Sequence, residues 1–144
     1  MLLLPLALSL VPAAATAKLW GWPDSFSVSA DVFGDNISDP NWMRVCSGWG
    51  NWCHDDCQSI QHFDHRLAVG GSYLHPEVWT WAQIQKENSA WVDFWRQGNS
   101  DTFNMYESNK DGTVHGQCQI VHFHEEPQHC LGRKVMVLLN CWQW

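Results

Sequence analysis

An apolar leader decides how the rest of this chain can fold. Residues 2–11 form an apolar run too short to span a bilayer, and they lead into Ala15-Thr16-Ala17, a small-residue cleavage site. The usual basic segment ahead of the run is missing. Residues 1–17 are expected to be a secretory signal peptide, and residues 18–144 a single secreted, extracellular domain. Export to an oxidising compartment makes the cysteines structural. Cys46, Cys53, Cys57, Cys118, Cys130 and Cys141 are therefore expected to form disulfide bonds. Six cysteines allow fifteen pairings, and spacing alone does not choose among them. Cys141 is expected to staple the last strand, because a bridge that closes a long loop restricts the unfolded chain most.

The core material is unusual. The chain is tryptophan-rich, with eleven among 144 residues. The indole is large and its N–H needs a partner, so some of these rings must remain partly exposed. The formal charge of −7 argues against nucleic acid and anionic membranes as partners. Eight histidines would cancel that charge if all were protonated, which an acidic fluid would approach. After the leader, residues 135–139 are apolar but far too few to cross a bilayer, so no membrane span is expected. Asn36-Ile37-Ser38 is an N-glycosylation sequon, placing Asn36 on a surface loop.

The patterning is that of strands and turns. Phe26, Val28, Ala30 and Val32 alternate with Ser25, Ser27, Ser29 and Asp31, the period of a half-buried strand. Residues 35–40 read as a polar loop, and the glycines of residues 47–51 as a turn. Leu67-Ala68-Val69 ends at Gly70-Gly71. Residues 78–84 carry signals of both helix and strand. Pro76-Glu77 suits a helix start, whereas Trp79-Thr80-Trp81 favours a strand with both indoles on one face. Residues 91–96 are similarly ambiguous and stop at Gln97-Gly98-Asn99. Residues 103–106 and 114–123 read as strands joined through Lys110-Asp111-Gly112, a hairpin signal. Residues 135–142 close the chain with an apolar run expected to be central. Seven or eight short strands with little helix indicate an all-β antiparallel sandwich or barrel. Residues 31–39 are echoed by residues 93–101, as two copies of a Greek-key unit would be.

Three segments carry a likeness. They are the opening Ser25-Phe26-Ser27-Val28 with Phe33-Gly34-Asp35-Asn36, the pair Cys53-His54-Asp55-Asp56-Cys57 before a short strand, Gln58-Ser59-Ile60, and the ending from Cys130-Leu131-Gly132-Arg133-Lys134 to Cys141. With these the chain resembles the βγ-crystallin-like secreted proteins, a class that includes plant antimicrobial peptides and killer toxins. It also resembles the small secreted cysteine-rich proteins of filamentous fungi. The resemblance implies a disulfide-stapled Greek-key antiparallel sandwich. Residues 74–90 have no counterpart in it, Cys46 and Cys118 look like additions, and the chain is acidic where antimicrobial members tend to be basic.

Candidate chemistry is sparse. Crystallin-type calcium sites use an acidic pair followed by hydroxyls, and Asp55, Asp56 and Ser59 have that spacing, with Ile60 in place of the final serine. Calcium wants six or more oxygens, so carbonyls and water would have to complete the shell. His122 and His124 share a face if they lie on a strand, and Glu125, Glu126 and His129 follow, which makes a candidate transition-metal site. His62-Phe63-Asp64-His65 is a second histidine cluster. His54-Asp55 superficially matches secreted phospholipases, without their long helix. The carboxylates offer no pair suited to glycoside hydrolysis, and there is no Gly-x-Ser-x-Gly elbow and no phosphate loop. No catalytic residue and no required cofactor are assigned. Two indole pairs remain, Trp79 with Trp81 and Trp91 with Trp95, each able to stack on a sugar or anchor a protein. The expectation is a monomeric, secreted, non-enzymatic interaction protein, effector- or antimicrobial-like, whose partner is an extracellular protein or glycan. The alternatives are a carbohydrate-binding module using these tryptophans and a small secreted hydrolase.

Overall fold

The computed structural model describes residues 18–32, 43–49, 57–67, 75–121, 128–130 and 133–144. Nine strands lie in them. They are β1 (Ser25–Val32), β2 (Met43–Ser47), β3 (Cys57–Leu67), β4 (Trp79–Lys86), β5 (Val92–Arg96), β6 (Thr102–Glu107), β7 (Val114–Ile120), β8 (Gln128–Cys130) and β9 (Arg133–Gln143). One 3-10 turn, Pro76–Val78, precedes β4. Every pairing is antiparallel, and β1 through β6 each pair with the next strand in sequence. β9 then pairs with β7 along one edge and with β1 along the other, so eight strands close into a barrel. β8 extends the β7 edge of β9 as a short hairpin arm.

The all-β, antiparallel, disulfide-bonded character agrees with the sequence. The arrangement of the strands differs from the expected Greek-key sandwich. A Greek key sends a fourth strand back beside the first by a long connection. Here β1 to β7 follow one another in space in their sequence order, and β9 closes the sheet onto β1.

Alternation explains the interior. Phe26, Val28 and Ala30 of β1, Met43 and Val45 of β2, Ala82 and Ile84 of β4, Val92 and Phe94 of β5, and Phe103 and Met105 of β6 are all buried in one core. An eight-stranded barrel is just wide enough for such side chains to fill. Four bulges interrupt the pattern. Val28 pairs with Leu139 and Ser29 with Val137, which makes Leu138 an extra residue and allows Leu138 and Leu139 to be buried together. Gln61, Thr80 and His115 are extra in the same way.

The segment before β1 folds back across one end of the barrel. Leu19 and Trp22 enter the core. The Leu19 amide donates to Gln143 Oε1 (2.9 Å), and Gln143 Nε2 donates to the carbonyls of Trp22 (3.0 Å) and Pro23 (2.8 Å). Trp22 Nε1 donates to the Ala90 carbonyl (2.8 Å), and the Ala90 amide donates to the Trp20 carbonyl (3.0 Å). Burial of the Trp22 ring therefore leaves no indole donor unmet. Gly21 makes the crossing feasible. It has a φ of +78°, and a Cβ there would run into the Asn88 carbonyl and the Ser89 backbone.

Two disulfides lie in the described residues. Cys46–Cys57 bridges β2 and β3, and Cys118–Cys141 bridges β7 and β9. The second meets the expectation for Cys141, and both join residues directly opposite in register. Cys130 lies on β8, whereas Cys53 is outside the described residues, as are Asn36 and residues 35–40.

Two outcomes are expected from this architecture. Replacing Cys118 and Cys141 together by alanine should lower stability by about 3 kcal/mol in a denaturant titration, the entropy of a closed loop of this size. Gly21→Ala should cost about 2 kcal/mol or more, from the left-handed backbone and the collision with the β4–β5 turn.

Candidate ligand-binding face

The four tryptophans singled out in the sequence are divided by the Thr80 bulge. Arg66 pairs with Trp81 and Leu67 with Trp79, so the extra residue turns the two indoles to opposite sides of β4. Trp79 is fully buried inside the barrel against Phe63, with ring centroids 5.5 Å apart. It is a core residue, contrary to the expectation that Trp79 and Trp81 share a face. Trp81 points outward and is covered on one side by Trp95, its register partner on β5, at 6.1 Å. Trp95 itself is 43% exposed.

Trp91 sits one residue before β5, at the same parity as Asp93 and Trp95, and is also exposed. Its ring stacks on His62 of β3 at 4.4 Å and 27°. His62 faces outward because Gln61 is bulged out of the β3–β4 ladder. The Trp91 carbonyl accepts the Ser108 amide (2.9 Å), tying the start of β5 to the end of β6.

Between the rings runs a chain of polar side chains. Asp93 Oδ1 accepts from Ser108 Oγ (2.7 Å) and from Gln83 Nε2 (2.9 Å). Gln83 Oε1 lies 3.1 Å from His62 Nε2, which donates to it. Across the next strands, Gln117 Nε2 donates to Asn104 Oδ1 (3.0 Å), Asn104 Nδ2 reaches the Tyr106 hydroxyl (3.4 Å), and Gln119 Nε2 donates to Thr102 Oγ1 (2.8 Å). These bonds hold planar amides in fixed orientations on a sheet surface.

An open groove of about 500 Å³ runs along β5 and β6. Asp93, Trp95, Gln97, Tyr106, Asn109 and Lys110 are among the residues that line it. Its upper end is braced by Arg96, whose guanidinium donates to the carbonyls of Ser100 (2.8 Å) and Glu77 and lies 3.8 Å from Asp101. The turn of residues 97–100 is closed on itself by Ser100 Oγ donating to the Gln97 carbonyl (2.6 Å). The arrangement offers apolar ring faces flanked by oriented hydrogen-bonding groups, the chemistry of a ligand with alternating C–H and hydroxyl surface.

The other candidates fare differently. Of the candidate transition-metal set, His122 and His124 are outside the described residues, and His129 lies on β8. Asp55 and Asp56, the calcium candidates, are outside as well. Among the described residues no group of three histidine, cysteine or acidic side chains is placed to hold a metal ion. Also among them, no helix is long and apolar enough to cross a membrane. Sequence reading missed Gln83, Asn104, Tyr106 and Gln117. Their signal was the polar half of each alternating strand, which resembles any solvated sheet surface until the register is known.

The division of the indoles is measurable. Trp79→Ala should destabilise the barrel by about 3–5 kcal/mol, whereas Trp95→Ala should cost about 1 kcal/mol, the worth of its cross-strand contact with Trp81, in the same unfolding experiment.

No protein-family model, curated protein or solved structure matches this chain, so the chemistry of this face must be read from its own residues.

Proposed function

We propose that this chain is a secreted, non-enzymatic binding protein that recognises a glycan on the outer wall formed by β4, β5 and β6. The observation that carries the reading is the exposed Trp95 beside a groove lined by Asp93, Gln97 and Tyr106. An indole left 43% exposed costs solubility, and its flat face stacks on the C–H side of a pyranose ring. Carboxylate and amide groups set around it suit sugar hydroxyls. Trp91, pinned flat against His62, provides a second ring on the same wall. Secretion is supported by the disulfides, which persist outside reducing compartments.

A second reading, binding to an extracellular protein, is favoured by a different observation. Trp20, Trp49 and Trp144 are about half exposed and lie at the barrel end crossed by the amino-terminal segment. Large exposed indoles are also the common anchors of protein interfaces.

Retention on insoluble chitin, cellulose and β-glucan tests the first reading. The purified protein should be held on at least one of them, and Trp95→Ala should weaken retention by about tenfold or more. Trp20→Ala should leave retention unchanged. Passage through all three matrices, or retention indifferent to Trp95→Ala, would overturn the glycan reading.

A further inference from the structure

Lys86 ends β4 at the plugged end of the barrel, and its side chain points inward with Ala82 and Ile84. It is 3% exposed. Its ammonium carries three protons. One is donated to Gln58 Oε1 at 2.7 Å, and the Trp22 ring lies beneath the charge at 5.7 Å. Among the described residues no carboxylate pairs with it. Burial alone pulls this amine below the usual lysine range.

A buried cation whose described partners are a neutral amide and an aromatic face is costly to keep. A methionine of similar volume would fill the space without the desolvation penalty. The charge also has somewhere to act. A cavity of about 590 Å³ opens beside it, lined by Lys86, its partner Gln58, and Gly21, Pro23, Ser47, Cys57 and Asn88. None of these is acidic, in a chain whose formal charge is −7. Ser47 and Asn88 add side chains able to donate hydrogen bonds. The volume is that of a small-molecule site.

We infer that this floor pocket binds a small oxyanion, a carboxylate or a phosphate, with Lys86 supplying the counter-charge. The site lies at the end of the barrel, apart from the Trp95 groove, and does not depend on the glycan reading. Its ligand would give the ammonium a counter-charge that none of the described residues provides. A charge-assisted hydrogen bond in a partly desolvated pocket is stronger than the same contact on the surface.

The chain has only four lysines, so the side-chain resonances of Lys86 can be assigned with a single substitution. The full chain is titrated with acetate, with phosphate and with chloride at matched ionic strength, while the Lys86 13Cε signal and the thermal midpoint are followed. Acetate or phosphate should give a saturable shift at Lys86 and a rise in the midpoint, and chloride should give neither. Whichever of the two saturates identifies the anion class. In Lys86→Met the response should weaken by about tenfold or more. Asn88→Gly suits the positive φ at that turn and leaves Lys86 in place, so it should keep the midpoint response at reduced affinity. A linear, unsaturated shift shared by all three anions would overturn the assignment. So would a midpoint rise of equal size in Lys86→Met.

Discussion

Closure of β1 against β9 is the constraint on which the rest of the structure depends. It joins the start of the domain to its end along eight register pairs, from Ser25–Trp142 to Val32–Lys134. Because these residues are far apart in sequence, the contact comes with a high loop-closure entropy and is rewarded only when the whole meander is in place. The Leu138 bulge lets β9 supply two adjacent leucines to the interior at this seam. Cys118–Cys141 then ties β9 to its other neighbour. Without the seam, β1 and β9 would each present an open edge, and the inward faces of all eight strands would have nothing to pack against.

The seam also explains the plug. Gln143 lies at the last position of β9, and its side-chain amide binds three backbone groups of the segment that precedes β1. Closing the barrel therefore brings together the two groups that seal its end. The sealing segment carries Trp22 inward, and Trp22 supplies both a ring to the core and a face to Lys86. The polar floor and the apolar core are thus consequences of one arrangement.

Much of the strand content was legible in the sequence. β1, β6 and β9 were visible from alternation or apolar density, and the turn before β7 from Lys110-Asp111-Gly112. β4 and β5 hold the strands favoured or left ambiguous around residues 78–84 and 91–96. β2 has no signal in the sequence, and of the eleven-residue β3 only the short strand at Gln58-Ser59-Ile60 is expected, through the resemblance. β3 carries Gln58, Gln61, His62, Asp64 and Arg66, and a strand with this many polar residues looks like a loop until its partners are known. Closure into a barrel was equally hidden, since sandwich and barrel share the same alternation and differ only in which strands meet. The Trp79–Trp81 error has the sharpest cause. A period of two places both indoles on one side, and a single bulged residue between them reverses that, yet nothing in Trp79-Thr80-Trp81 marks Thr80 as the bulge.

That bulge has a consequence for where ligands can bind. By turning Trp79 inward, it fills the barrel beside Phe63, near a core that also holds Phe94 and Phe103. The same turn sends Trp81 outward, where it packs against Trp95 from the side. An indole backed by another ring is held at a fixed tilt, so it loses little conformational freedom when a ligand settles on it. The interior is filled by packing, and the two proposed recognition surfaces, the wall around Trp95 and the floor beside Lys86, are ones whose side chains that packing has already oriented.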